Sequence, residues 1–183
     1  MDSLIKILGT YDLFVNLIPG IVFIGLAPET FQSLIPINNA ILLLAVAYFI
    51  GIIISRIGSI FLEWLFAKKM KFVKMAPYKE YLNAESYEKS KGEHKLDDLN
   101  RINNLYRSLA SLCLCLIVTH CYYGYIGGLF FNSICVVDRL VSVIFADNLI
   151  YWGLFMLFIW AYAKQTSYVR RRVENINLKE NTK

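Results

Sequence analysis

The sequence lacks the short motifs that accompany most enzyme chemistries. It contains no phosphate-binding glycine loop of the G-x-x-x-x-G-K-[ST] or G-x-G-x-x-G type, no G-x-S-x-G turn and no H-E-x-x-H zinc motif. Only two histidines are present, His94 and His120, and neither has an evident acid–base partner. Asp12 is the only carboxylate in the body of an apolar run. We therefore predict a protein that is not an enzyme, with no catalytic residues, no metal site, no cofactor and no small-molecule substrate.

Charged residues are also missing from long stretches of the chain, which predicts a membrane protein. Hydrophobic residues make up 57% of the 183 residues, whereas soluble domains have ~45–50%. Four stretches approach the ~20 apolar residues that a helix needs to cross the ~30 Å hydrocarbon core of a bilayer. Their approximate bounds are 11–27, 39–66, 108–126 and 143–163. The predicted fold class is an all-α integral membrane four-helix bundle, with residues 1–183 forming a single domain.

Basic residues are unevenly divided among the connections between these segments. Of the 19 Lys and Arg residues, ten lie in residues 68–107 and six in residues 164–183. The connection 28–38 has none, and the connection between the third and fourth segments has only Arg139. Basic connections remain in the cytoplasm, so this bias predicts a multipass protein with both termini and residues 68–107 on the cytoplasmic side.

Residues 68–107 are predicted to form helices of their own. Pro77 should end any helix that continues from the second segment, and Lys91-Gly92 favours a turn. After this turn, helical periodicity is carried by Leu96, Leu99, Ile102, Leu105 and Leu109. We expect this helix to run directly into the third segment. Segments two and three would then extend into the cytoplasm, and residues 164–183 would form a basic cytoplasmic tail.

The connection at residues 127–147 is too apolar for an ordinary loop. A long third helix followed by a short amphipathic piece accounts for it, and so does a re-entrant or interfacial stretch. The sequence leaves these alternatives open.

Polar residues inside the apolar segments mark a candidate site. Asp12 and Asn16 are four residues apart and therefore share one helix face, and Pro19 favours a kink. At 1.5 Å per residue, Arg56 lies ~25 Å along the second segment, at a depth that matches Asp12. Arg107, at the start of the third segment, is a second possible partner. These groups either form an ion pair that fixes packing, with Arg56 reaching the interface, or line a charged gate near the inner leaflet.

Small residues at four-residue spacing mark the second segment: Gly51, Ser55 and Ser59. Such a stripe lets two membrane helices approach closely, either within one chain or between the copies of a homo-oligomer. We expect His120, alone in an apolar helix, to form a hydrogen bond with a neighbouring helix. The cysteines are expected to be small buried hydrophobic residues. Anchoring at the membrane interface is expected of Tyr122, Tyr123, Tyr125, Tyr151, Trp152, Trp160 and Tyr162.

Two basic clusters directly follow apolar segments. They consist of Lys68, Lys69, Lys71 and Lys74 after the second segment, and Arg170, Arg171 and Arg172 after the fourth. Contact with the anionic head groups of a bilayer is the default role of such clusters. A basic cytoplasmic surface of this kind also suits an acidic protein or an RNA.

The stretch YDLFVNLIPGIVF, residues 11–23, resembles the first helix of a group of small multipass bacterial membrane proteins. In that group a Tyr-Asp pair often precedes an LIPG turn, and members accompany anti-phage defence systems. Among them are the type VI-B CRISPR ancillary membrane proteins, whose plan of four membrane helices and a basic cytoplasmic connection is similar. The resemblance makes Asp12, Asn16, Pro19 and Gly20 motif positions. It implies a location in the bacterial inner membrane and a role in defence.

Three functions follow as hypotheses. The first is a homo-oligomeric effector or regulator in anti-phage defence that alters membrane permeability when the cytoplasmic helices receive a signal. The second is a membrane anchor that recruits a cytoplasmic protein or ribonucleoprotein through its basic connection and tail. The third is a small transporter subunit, although the inverted repeat common in transporters is missing.

Overall fold

The computed structural model describes residues 13–35, 39–69, 75–130 and 148–181. Every regular element in these residues is a helix, and none of them belongs to a strand. The all-helical part of the predicted fold class is therefore confirmed. Asp12 and the segment 131–147, on which several of the sequence predictions depend, lie outside the described residues.

Six helices follow one another along the described chain. α1 consists of a π-helical turn, Leu13–Leu17, and an α-helical part, Ile18–Leu26. α2 is the single turn Glu29–Gln32. α3 consists of Ala40–Ile57 and a π-helical continuation, Gly58–Lys69. The remaining three are α4 at Tyr78–Ser90, α5 at Lys95–Phe130 and α6 at Leu149–Asn181.

Local sequence signals explain where several of these helices begin and end. The Asn39 side chain caps α3 by accepting hydrogen bonds from the backbone N–H groups of Ile41 and Leu42, at 3.1 and 3.2 Å. Pro77 lies just before α4, with a φ of −57° and a ψ of 137°, outside the helical region. Gly92 has a φ of 69° in the predicted turn between α4 and α5, where a residue with a Cβ would be strained.

Pro19 accounts for the irregular start of α1. A proline inside a regular α-helix has no N–H to donate, and its ring collides with the carbonyl four residues earlier. In the structure Pro19 lies in the first turn of the α-helical part, directly after the π-helical turn Leu13–Leu17. The helical irregularity that the sequence predicted at Pro19 therefore takes the form of a widened turn on its N-terminal side.

α5 and α6 form an antiparallel pair that joins the apolar half of the molecule to its polar half. α5 runs without a break from the polar residue Lys95 through the third predicted segment, as expected. The predicted tail is instead the second half of α6, which stays helical to Asn181. The long antiparallel pair is therefore α5 with α6, and the extension of segment two beyond the membrane stays a prediction, since residues 70–74 lie outside the described residues. α3 is described to Lys69, and the residues just before α4 are not helical.

Three clusters of buried side chains lie along α5. The first, where α1 and α3 pack on α5, contains Phe23, Ala27, Ile54, Leu112 and Leu116. The second, where α3 and α6 meet it, contains Leu62, Ala110, Cys113, Phe155 and Ile159. The third, where α4 and α6 pack against its first turns, contains Ala84, Leu96, Val169, Val173 and Ile176. The third cluster gives the polar half a hydrophobic core of its own.

Two of the described helices are long and apolar enough to cross a membrane: Ala40–Leu62 in α3 and Lys95–Gly124 in α5. Val15–Leu26 in α1 is apolar but shorter. Only 17% of the apolar window in α3 is buried within the chain, and Ile41 and Ile60 are 82% and 74% exposed. The core helix of a soluble protein is mostly buried, so this exposure favours a surface that meets lipid.

The predicted roles of the aromatic and cysteine residues are corrected at one position and supported at others. Tyr162 is almost fully buried, so its assignment to an interfacial belt is wrong. Tyr122 and Trp160 are both largely exposed, as an interfacial position requires. Cys113 is buried, and Cys115 and Cys121 are partly buried and free. Cys135 lies outside the described residues.

Candidate functional site

The polar face predicted for α1 is described only in part. The proposed pair of Asp12 with Arg56 involves a residue outside the described ranges. Asn16 is half-buried in the π-helical turn, with its backbone carbonyl directed at Gly51 of α3. Arg56 is exposed and makes no hydrogen bond or ion pair with any residue that the structure describes.

The small residues of α3 pack against other helices of the same chain. A Cβ atom built on Gly51 would overlap the backbone carbonyl of Asn16, and a Cβ on Gly20 would overlap the carbonyl of Ala47. α1 and α3 therefore touch through their backbones at two places. Of the two alternatives left open for the stripe, close packing within the chain is the one found at Gly51.

Ser55 of the stripe and the neighbouring Gly58 face α5 near the junction between the apolar and polar halves. Ser108 Oγ donates to Ser55 Oγ over 3.3 Å, and both hydroxyls are at least partly buried. A Cβ atom on Gly58 would meet the Ser111 hydroxyl and the aliphatic stem of Arg107. The aliphatic stem of Arg107 therefore packs against α3 at Gly58. Ser59, the residue that follows Gly58, is half-buried. This junction fixes the crossing of α3 and α5 with small and polar groups.

His120 closes the C-terminal end of α1. Its Nε2 lies 2.9 Å from the carbonyl oxygen of Leu26, and a carbonyl only accepts, so Nε2 carries the proton. Gln32 Nε2 donates to the neighbouring carbonyl of Ala27 over 2.9 Å. The last carbonyls of a helix have no partner within the helix, and these two side chains supply one. The predicted hydrogen bond of His120 to a neighbouring helix is confirmed.

Replacing His120 with alanine should lower the free energy of unfolding by about 1 kcal/mol, because the Leu26 carbonyl would lose its hydrogen-bond donor. The exposed His94, 3.9 Å from Asp97, is the matched control. His94→Ala should cost less than about 0.5 kcal/mol. Denaturant titrations in mild detergent, followed by helical circular dichroism, would test this. Equal stability of the two variants would contradict the role of His120.

The predicted basic clusters are only partly available for lipid. Lys68 and Lys69 are the last residues of α3, and their side chains, like Lys71 and Lys74 as a whole, lie outside the description. Arg170 pairs with Glu174 one turn along α6, at 2.7 Å. Arg172 is engaged with two carboxylates of the α4–α5 region. Arg171 is exposed and the Arg170 side chain remains 41% exposed, so lipid contact stays a prediction for these two, whereas Arg172 is held in ion pairs within the chain.

The ion pairs of Arg172 form the main polar link between the helices in the polar half of the molecule. Its Nε donates to Glu88 over 2.7 Å, and its terminal nitrogen to Glu93 over 2.9 Å. Glu88 is only 3% exposed, and its other oxygen accepts from the backbone N–H of Leu96, at 2.8 Å, in the first turn of α5. We call this set of contacts the clasp. It connects α6, α4 and the α4–α5 turn, and it places a carboxylate at the positive end of the α5 dipole.

Arg172 of the clasp is charged at every physiological pH, as arginine is in general. The hydrogen bond to Glu88 is the main cause that raises the pKa of Arg172 above its ordinary value. A group with a raised pKa in the folded state contributes its full stabilisation below its unfolded pKa. The stabilisation by the hydrogen bonds of Arg172 is therefore present at every pH below the ordinary arginine pKa.

A buried polar pair links α5 and α6 between the clasp and the apolar half. The Thr166 hydroxyl lies 2.9 Å from Asn103 Oδ1, and both residues are buried. Gln165 Nε2 donates to the backbone carbonyl of Leu99 over 3.2 Å. These bonds occur where the helices pass from apolar to polar sequence, and they fix the register of the α5–α6 pair.

Sequence reasoning missed the clasp because its members come from three helices. Glu88 appeared only as part of a polar stretch, and Arg172 only as part of a basic run. The helical spacing of Val169, Val173 and Ile176 is the signal that would have revealed a buried face in the predicted tail. Among the described residues, no group of three or more His, Cys, Asp or Glu side chains is close enough to hold a metal ion.

Scans against protein-family models and searches of curated proteins and of solved structures found no significant match to this chain.

Proposed function

We propose that this chain is a multipass membrane protein that holds a helical docking platform at the cytoplasmic face of a bacterial inner membrane. The platform consists of α4, residues 95–107 of α5 and residues 164–181 of α6. The proposal includes four membrane-spanning segments with both termini in the cytoplasm. It draws on the two long apolar helices, their exposed apolar side chains and the distribution of basic residues.

The observation that carries the proposal is the continuity of α5 and α6. Each helix passes without interruption from apolar sequence into the platform. The platform has its own buried cluster and is closed by the clasp, so it is a rigid body rather than a loose tail. A partner that binds it would be held at a fixed distance and orientation from the bilayer.

The lysines that precede the platform, together with the start of α4, favour a partner with an acidic surface. Lys68, Lys69, Lys71 and Lys74 lie just before α4, and the first turn of α4 exposes Tyr78, at 75%, next to Lys79. Exposed tyrosine beside basic residues is typical of protein interfaces, where aromatic anchors contribute affinity and charges guide association. We infer a cytoplasmic protein or ribonucleoprotein as the partner.

Reversing the charge of Lys68, Lys69, Lys71 and Lys74 to glutamate should lower recovery of the partner by about tenfold or more, because like charges would oppose each other at the interface. The measurement is chemical cross-linking in native cells, followed by quantitative mass spectrometry of the purified complexes. Arg56→Gln is the control, since it removes a basic residue from the apolar half and should leave recovery unchanged. Undiminished recovery of every cross-linked protein with the four-lysine variant would contradict the anchor function.

A second candidate is a homo-oligomeric effector that alters membrane permeability in anti-phage defence. The continuous α5–α6 pair favours it, since movement of the platform would be transmitted to the apolar half. The small-residue stripe no longer argues for contact between copies at Gly51, where it packs within the chain. Dye release from liposomes that contain the purified chain discriminates the two functions: an effector raises leakage when its trigger is present, and an anchor does not.

A further inference from the structure

A groove of about 360 Å³ opens between α3 and α5 in the apolar half of the molecule. One wall is formed by Ile50, Ile53 and Ile57 of α3, and the other by Leu114 and Val118 of α5. The aromatic rings of Phe23 and Phe31, packed edge to face, close the end nearest α2. The groove therefore runs along the two helices that are long and apolar enough to cross a membrane.

The described residues that line the groove offer almost no polar group to an occupant. Its one hydroxyl, that of Thr119, already donates to the backbone carbonyl of Cys115 over 2.7 Å. Ile53 and Val118 at its rim are exposed, at 45% and 59%. An elongated occupant without hydrogen-bonding groups fits such a lining, because any polar atom would be desolvated without compensation.

An exposed cation, Arg56, lies beside the end of the groove that is opposite the aromatic rings. Arg56 is not part of the lining; it follows the rim residue Ile53 by one helical turn, and it forms no hydrogen bond or ion pair with any described residue. Sixteen residues separate Ala40 from Arg56, which places the guanidinium ~24 Å along α3 from its start, near the far boundary of a ~30 Å hydrocarbon core. A hydrocarbon groove that ends at an exposed cation complements an amphiphile with an anionic head.

We propose that this groove binds one acyl chain of an anionic phospholipid, whose phosphate contacts Arg56. The proposal rests on the membrane location proposed above. With the predicted topology, the lipid belongs to the cytoplasmic leaflet. A helix from a second copy is a poorer occupant, because its apolar side chains would remove the exposed guanidinium of Arg56 from water and lipid head groups.

The experiment uses the full chain in nanodiscs that contain equal amounts of phosphatidylglycerol and phosphatidylcholine, one of which carries a diazirine in its acyl chain. After irradiation, the adducts are located by peptide mass spectrometry. We expect adducts to concentrate in peptides that include residues 50–57 and 114–119. Labelling by phosphatidylglycerol should exceed labelling by phosphatidylcholine by about fivefold, the factor that one basic residue contributes at a lipid surface.

Two pairs of variants separate the head group from the chain. Arg56→Gln should bring the ratio of the two lipids close to one, whereas Lys164→Gln, at the corresponding boundary on α6, should leave it unchanged. Val118→Trp should fill the groove and remove most of the adducts. Leu157→Trp adds the same ring at an exposed position of α6 outside the groove and should retain them. The wild-type adduct map does not depend on how well any variant folds.

Adducts distributed over α3, α5 and α6 in proportion to exposure, or labelled equally by both lipids, would overturn the site. So would cross-links at the groove between two copies of the chain. Alkaline carbonate extraction is measured separately. A chain released by carbonate defeats the membrane location and the lipid site with it, whereas a chain retained in the membrane with an unlabelled groove defeats the lipid site alone.

Discussion

Gly51→Ala is expected to lower the free energy of unfolding by about 3 kcal/mol, the upper range for overpacking a close contact. A single added methyl group would overlap the backbone carbonyl of Asn16, and backbone atoms have no other rotamer to adopt. α1 and α3 would have to separate, which also opens the cluster around Phe23 and Ile54. The measurement is a denaturant titration in mild detergent.

The matched controls are glycines in the same kind of helix with open space around them. Gly25 in α1 and Gly153 in α6 have no atom within 4 Å of an added Cβ. Alanine is the better helix former by about 1 kcal/mol, so Gly25→Ala and Gly153→Ala should be neutral or stabilising. The prediction is therefore a difference in sign. A Gly51→Ala variant that is as stable as Gly25→Ala would show that α1 does not lie against α3 in solution.

The helical content of the fold was predictable because it depends on local signals. Pro77, the Lys91-Gly92 turn and the spacing of Leu96, Leu99 and Leu105 each act within a few residues. The packing of residues 164–181 against α4 and α5 was not predicted. The run of three arginines indicates a solvated tail, although Val169, Val173 and Ile176 repeat at helical spacing in the same stretch. A basic run and a buried face coexist there because they occupy different sides of one helix.

The candidate site was predictable only where a residue type has few compatible environments. His120 in an apolar helix needs a polar partner, and it has one in Leu26. The stripe of small residues indicated close approach, but a stripe carries no information about which helix approaches. Glu88 shows the limit most clearly, because its burial depends on Arg172, 84 residues away, and no local pattern reports such a pair.

Glu88→Ala is expected to lower the free energy of unfolding by about 2 kcal/mol, since the buried Glu88 carboxylate accepts hydrogen bonds from the charged Arg172 and from a backbone N–H. The variant would deprive both Arg172 and the Leu96 N–H of their acceptor. Arg172 keeps Glu93 at 2.9 Å, which holds the expected cost at the lower end of the range for such pairs. The loss should be local, so hydrogen exchange should accelerate in residues 164–181 far more than in residues 108–124.

The control and the compensating variant make this a test of the clasp rather than of lost charge. Glu85 lies one turn before Glu88 on α4 and pairs with Lys89 at the surface, so Glu85→Ala should cost less than about 0.5 kcal/mol. Combining Glu88→Met with Arg172→Met should recover much of the stability lost by Glu88→Ala, because two apolar side chains replace a buried pair without an orphaned charge. Unchanged hydrogen exchange of α6 in Glu88→Ala would contradict the role of the clasp. The buried cluster of Val169, Val173 and Ile176 would then be sufficient to hold the platform together, and the clasp would not contribute to the rigidity of the surface that a partner binds.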